Sequence, residues 1–250
     1  MNHREIQYLA KDAAIDFRRK YDLGQADPIR IDSLLNKLDM ITVFSSMSDN
    51  FSGMAARFEE NGFLLINCNF PKGRQIFTIC HELYHLFVQK DFEFEVISDT
   101  KNGGKKSDIE KLADAFAVEL LMPEQGIQEL LLKRNFIKKE VSLEHVIKLE
   151  QYFQVSRQSM VYRLKNLGFI SKDEHLELKY FSNVKESALR RGYDVSLYES
   201  TSARVVASDY YDKAELLYTN DKIGLTDFAQ LLKDIGVDLS DIMDDSKNVE

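Results

Sequence analysis

Cysteine is nearly missing from this 250-residue chain: Cys68 and Cys80 are its only two. Two cannot make a disulfide framework, so both are expected as small buried hydrophobes in a reducing compartment. Proline is scarce, with three residues, and no low-complexity tract or repeat of fixed period is present, so the chain is expected to fold. No apolar run approaches the roughly 18 to 20 residues that span a membrane, and the opening MNHREIQYLAKDAAIDFRRK lacks the apolar core of a signal peptide. A cytoplasmic chain without a membrane partner is expected. An excess of positive charge is missing too, the net charge being -8, and nucleic acid is therefore not expected as a partner. The acidity is C-terminal, since residues 171–250 hold 17 acidic and 10 basic side chains. The segment 133–165 reverses the sign, with eight basic and three acidic residues, and has to be judged separately.

The chain is long enough for one large domain or for one domain with a small appendage. Helical periodicity runs through Ile6, Leu9, Ala13, Ile15 and Phe17, and DSLLNKLD reads as a short helix capped by Asp32. Then come MITVFSS, GMAARFEE and GFLLINCN, short β-rich segments separated by turn residues, which predict a small antiparallel sheet. FPKGR opens the next helix, and the polar loop SDTKNGGKKSD separates it from the very apolar helix IEKLADAFAVELLM. Residues 97–107 are expected to be mobile. Beyond residue 170, YDVSLYES reads as a strand, YYDKAELLY and LTDFAQLLKDIG as helices, and the acidic end as a frayed tail.

The most informative stretch is FTICHELYHLF. On a helix His81 and His85, at i and i+4, lie about 40° apart on one face, so both imidazoles can bind one ion. Glu82 sits about 100° around, beside the ion without being forced to ligate it, where a general base belongs. The pattern also arises by chance, so its context decides. In the following helix Glu110 and Asp114 are again four apart in surroundings that are apolar nearly all round, and a buried charge needs a partner. Zinc held by two histidines and a glutamate accounts for Glu110, and a hydrogen bond to the far nitrogen of a ligand histidine accounts for Asp114. The alternative for both is a solvated first turn, where acidic residues suit the helix dipole.

These residues resemble the ImmA/IrrE-type metallopeptidases, soluble zincin-like proteins of bacteria and their mobile elements. FTICHELYHLF is similar to that family's FTxAHELGHxxL, EKLADAFAVELLMPE to its ExxANxFAAxLLMP, and FQVSRQSMVYRLKNLGFI to its closing FxVSxxAxxxRLxxLGLI. The resemblance covers roughly residues 5–170. It implies an α+β, zincin-like fold with zinc ligands His81, His85 and Glu110 and with Glu82 as base. It also implies a peptidase domain over 1–170, containing a helix-turn-helix-like subregion at 140–168, and an accessory region over 171–250. Its implied substrate is a helix-turn-helix repressor. Cys80, Tyr84 and Asp114 depart from the family pattern. Tyr84 either packs or lines the cleft, and Tyr84, Tyr162, Arg163 and His175 are candidates for an oxyanion or substrate contact. GFLLINCN is a candidate for pairing with an extended substrate. The alternative function is a DNA-binding or partner-binding regulator with a structural or sensory metal site, in which Arg157, Arg163 and Lys165 would touch DNA.

Overall fold

The computed structural model describes residues 1–58, 61–90, 92, 94–98, 106–132, 141–179, 183–206 and 209–239. Helix α1 (His3–Lys20) is followed by α2 (Ile31–Lys37) and strands β1 (Ile41–Ser45), β2 (Phe51–Phe58) and β3 (Asn61–Asn67). Helix α3 (Lys72–Phe87), strand β4 (Phe94–Ser98), and helices α4 (Asp108–Leu121), α5 (Glu124–Leu132), α6 (Leu143–Phe153) and α7 (Arg157–Asn166) come next. The chain continues through α8 (Lys172–Lys179), α9 (Val184–Leu189), a 3-10 turn at Ser196–Tyr198, β5 (Arg204–Val206), α10 (Tyr210–Thr219) and α11 (Leu225–Asp234). No described helix is long and apolar enough to cross a membrane.

The α+β fold read from the sequence is present, with one correction to its sheet. The strand order is β4-β2-β3-β1-β5, and β1 runs parallel to β3, Val43 lying opposite Leu65. The sheet is mixed because this pairing is parallel while β2 with β3, β2 with β4 and β1 with β5 are antiparallel. The strand expected to receive substrate, β3, is thus paired on both sides and has no edge to offer. β5 pairs antiparallel with β1. YDVSLYES is not a strand: it holds the 3-10 turn, and Ser200 bridges Pro71 before the chain reaches β5. Asp32 is not the cap of α2 either. It sits in the first turn, where it accepts a bond from Arg204 at 2.9 Å.

Helix α3 lies against β2 and β3 with α4 on its other side, and α1 covers α4. Two glycines allow the close approaches. A Cβ on Gly53 of β2 would meet Thr78 Cγ2 of α3 at 2.7 Å, and one on Gly73 would meet the Ser156 backbone nitrogen in the α6–α7 turn at 3.0 Å. Phe116 of α4 anchors the helical layer, its ring edge-on to Phe17 and tilted against Tyr84, both 5.7 Å away. Buried Arg18 fastens α1 to the end of α4 by donating to the Leu120 carbonyl at 3.0 Å, one of the carbonyls a helix end leaves unpaired.

The segment that follows residue 170 takes part in this body. Lys72 N donates to Glu199 O, Thr201 N to Cys68 O and Thr201 Oγ1 to Gln75 Oε1, so residues 199–201 form a clasp over the start of α3. Tyr198 OH donates to Glu150 Oε1, itself held by Arg157. Helices α10 and α11 form a hairpin with its own small core of Ala214, Phe228 and Leu232. The expected tail falls at 240–250, outside the described residues, as do residues 99–105 of the loop expected to be mobile.

Candidate metal centre

Helix α3 is unbroken through its motif, so the four-residue spacing of His81 and His85 becomes a fixed geometry, with ring centroids 5.0 Å apart. Both side chains are nearly closed to solvent. Ser107 caps α4, its hydroxyl accepting from the Glu110 amide at 3.1 Å, and the first turn of α4 then points Glu110 at both rings. The His81 and His85 Nε2 atoms are 3.1 Å apart. Glu110 Oε2 is 3.5 Å from the former and Oε1 is 3.4 Å from the latter. The Glu110 carboxylate is four-fifths buried, so the solvated-turn alternative does not describe it.

These spacings can be tested against an ion. Donors about 2.0 to 2.1 Å from one zinc at tetrahedral angles stand about 3.3 to 3.4 Å from each other. The three observed separations bracket that value. The far nitrogens decide the rest: His81 Nδ1 lies 3.0 Å from Asp114 Oδ1, and His85 Nδ1 lies 2.5 Å from Gln89 Oε1. Both partners accept, so each Nδ1 carries the hydrogen and each Nε2 turns a lone pair inward. Two lone pairs and a carboxylate facing one point repel unless a cation or a proton joins them, and all their donor atoms lie within 4.8 Å of one another. His81, His85 and Glu110 therefore fit a divalent metal.

The electrostatics agree. Burial alone would lower the His81 pKa, yet bonds to Asp114 and Glu110 and the charges of Asp114 and Glu82 raise it to about 9. Where no metal joins the three groups, a proton taken up on the ring nitrogens bonds Glu110, and the two histidines, His81 first, hold its carboxyl far below its ordinary value. Burial opposes ionisation of Asp114, but His81 and Lys106 overcome it and lower its pKa, Lys106 Nζ standing 2.7 Å from Asp114 Oδ2.

Glu82 is fully buried next to His81 in sequence, close enough for its charge to act on that ring. Tyr84 is buried. It stands edge-on to His85, packs on Phe116, and floors a groove of about 680 Å³ lined also by Phe17, Phe87, Val88 and Leu112. Cys80 is fully buried, its thiol is pushed up to about 12, mainly by burial, and it is not among the grouped donors His81, His85 and Glu110. Arg163 is removed from the oxyanion candidates. It donates to both oxygens of Glu119, at 2.6 and 2.5 Å, and to the Met122 carbonyl, and is 3% exposed. Arg157 is likewise buried in a pair with Glu150 at 2.6 Å, so two of the three side chains that the DNA-binding reading requires cannot reach a nucleic acid. Tyr162 is exposed on α7 with Lys165 over its ring, and His175 Nδ1 faces the Val161 carbonyl. Sequence reasoning missed Gln89 and Lys106. The first stands four residues after His85, a helical spacing that offered a signal; the second sits at the end of a loop and offered none.

A small sheet backing a helix that presents two histidines to a glutamate on the next helix is the zincin-like arrangement. The chain belongs to the peptidase M78 family, described as the IrrE N-terminal-like domain, which matches residues 39–165. Its class is thus that of a metallopeptidase acting on protein, and the matched span holds every donor of the centre. A comparison with curated proteins finds no match.

Proposed function

We propose that the protein is a zinc-dependent endopeptidase that cleaves one partner, a helix-turn-helix transcriptional repressor, and so relieves repression of stress-response or mobile-element genes. The observation that carries the catalytic half is the set of three separations, 3.1, 3.5 and 3.4 Å, among donors from two helices. In this reading His81, His85 and Glu110 hold zinc, and Asp114 fixes the His81 ring. Bound there, zinc supplies Lewis acidity toward a carbonyl oxygen and a water. Glu82 takes the proton from the attacking water and returns it to the amide nitrogen as the peptide bond breaks. Its burial beside His81 keeps competing solvent away from that carboxylate.

The substrate half rests on the family. A peptidase working inside the cell has to be narrow in specificity, which suits single-site cleavage of a folded partner. The basic segment 133–165 contributes less surface charge than its sequence implies, because Arg157 and Arg163 are buried in ion pairs. Recognition is therefore not assigned to it. The test is incubation of the zinc-loaded protein with the repressor encoded beside it and, separately, with casein. Cleavage of the repressor at one site, little action on casein, and a loss of about 100-fold or more in Glu82→Gln with zinc retained are expected. Rapid casein digestion, or full activity in Glu82→Gln, contradicts the proposal.

A further inference from the structure

We infer that Gln89 is the positioning residue for His85, doing for the second histidine what Asp114 does for the first; the inference rests on the metallopeptidase reading above. Helix α3 ends at Phe87, but the chain does not leave it at once. The amides of Val88 and Gln89 both donate to the Tyr84 carbonyl at 2.9 Å, which holds Gln89 one turn beyond His85. Its side chain folds back along the helix and brings Oε1 to 2.5 Å from His85 Nδ1. Phe92 stacks on the same imidazole, 5.7 Å away at 27° between planes. One neighbour thus fixes the edge of the ring and another its face.

The consequence is chemical as well as steric. An amide oxygen only accepts, so His85 is held with its hydrogen on Nδ1 and the Nε2 lone pair directed at His81 and Glu110. In the other tautomer, Nε2 would bear a hydrogen and could not ligate. The two supports also differ in charge. Asp114 brings a negative charge that Lys106 offsets, and the centre already contains the carboxylates of Glu82 and Glu110. A neutral amide at Gln89 orients the second ring without adding a further anion beside them.

The experiment uses the full chain and reads zinc affinity by competition with a chromophoric chelator, beside the unfolding midpoint of metal-stripped protein. Gln89→Ala and Gln89→Met should each weaken zinc binding by about 10- to 100-fold. Gln89→Glu, which keeps the accepting oxygen and the length, should bind at least as tightly as the parent. The midpoints of all three stripped variants should stay close to that of the parent. Methionine fills the space without accepting a hydrogen, so parental affinity in Gln89→Met would show a packing role and overturn the inference. Unchanged affinity in Gln89→Ala, or a Gln89→Glu no better than alanine, overturns it equally. His81→Ala run alongside separates the two levels. If the parent binds zinc no better than that variant, the metallopeptidase reading itself fails, whereas a tight parent with indifferent Gln89 variants removes the inference alone.

Discussion

His81 holds a hydrogen on the nitrogen facing Asp114, and that carboxylate takes Lys106 on its other oxygen. In protein stripped of metal, the same surroundings keep a second proton on the ring up to about pH 9. The folded pKa lies above the unfolded value of about 6.5, so this proton stabilises the fold fully below about pH 6.5 and progressively less as pH rises through 9. Glu110 and Asp114 are shifted downward, and what they contribute is present above the ordinary carboxylate range and lost in acid. Zinc has to displace the His81 proton. Calorimetry at pH 7.5 in buffers of different ionisation enthalpy should show about one proton released per ion bound, and a release near zero would contradict the assigned protonation. The spacings of His81 with His85 and of Glu110 with Asp114 were legible in the sequence, because four residues of helix return a side chain to the same face, whereas the approach of α4 to α3 that brings Glu110 to both rings is tertiary. Arg163 was misread because its partner Glu119 lies 44 residues away, a distance over which a sequence carries no geometry.

At the level of elements, the centre depends on how α3 and α4 are held, and buried ion pairs do part of the holding. Arg163 on α7 reaches Glu119 and the Met122 carbonyl at the end of α4. Removing one partner strands a charge in the interior. Arg163→Ala should therefore cost about 3 to 5 kcal/mol in urea unfolding. The double variant Glu119→Leu with Arg163→Met should recover most of that loss and hydrolyse substrate at nearly the parental rate. A double variant that is stable but inactive would return Arg163 to the catalytic machinery. Helices α1, α3 and α4 were read well because their apolar periods are long, whereas the short α8 and α9 were not read at all. The sheet was read less well. β4 and β5 are five and three residues long, too short for an alternating pattern to stand out, and no local signal says that β1 runs beside β3 rather than β2.

For the whole molecule, the sequence suggested a division at residue 170, where the family-like motifs end. Contacts from 187, 198, 199, 201 and 204–206 all return to the body before that point. We propose that the catalytic unit extends to about residue 206 and that the α10–α11 hairpin is the true appendage. Chains ending at 208 should keep the parental unfolding midpoint to within a few degrees and bind zinc normally, whereas chains ending at 170 should unfold well below it. Equal midpoints would restore the shorter unit. Nothing local in the sequence announces the clasp, because β5 meets β1 across more than 150 residues of intervening chain.

The pairing of β5 with β1 also governs how the molecule behaves toward its own copies. With β5 in place, the outer edge of β1 is paired at Thr42–Phe44. A chain cut back to the span that carries the family motifs leaves that edge bare, a short apolar strand with a row of unsatisfied amides and carbonyls, which is a template for strand-to-strand association. Such a fragment retains every metal donor, and light scattering should find it more prone to aggregate than the intact protein, in which Arg204–Val206 occupy that edge.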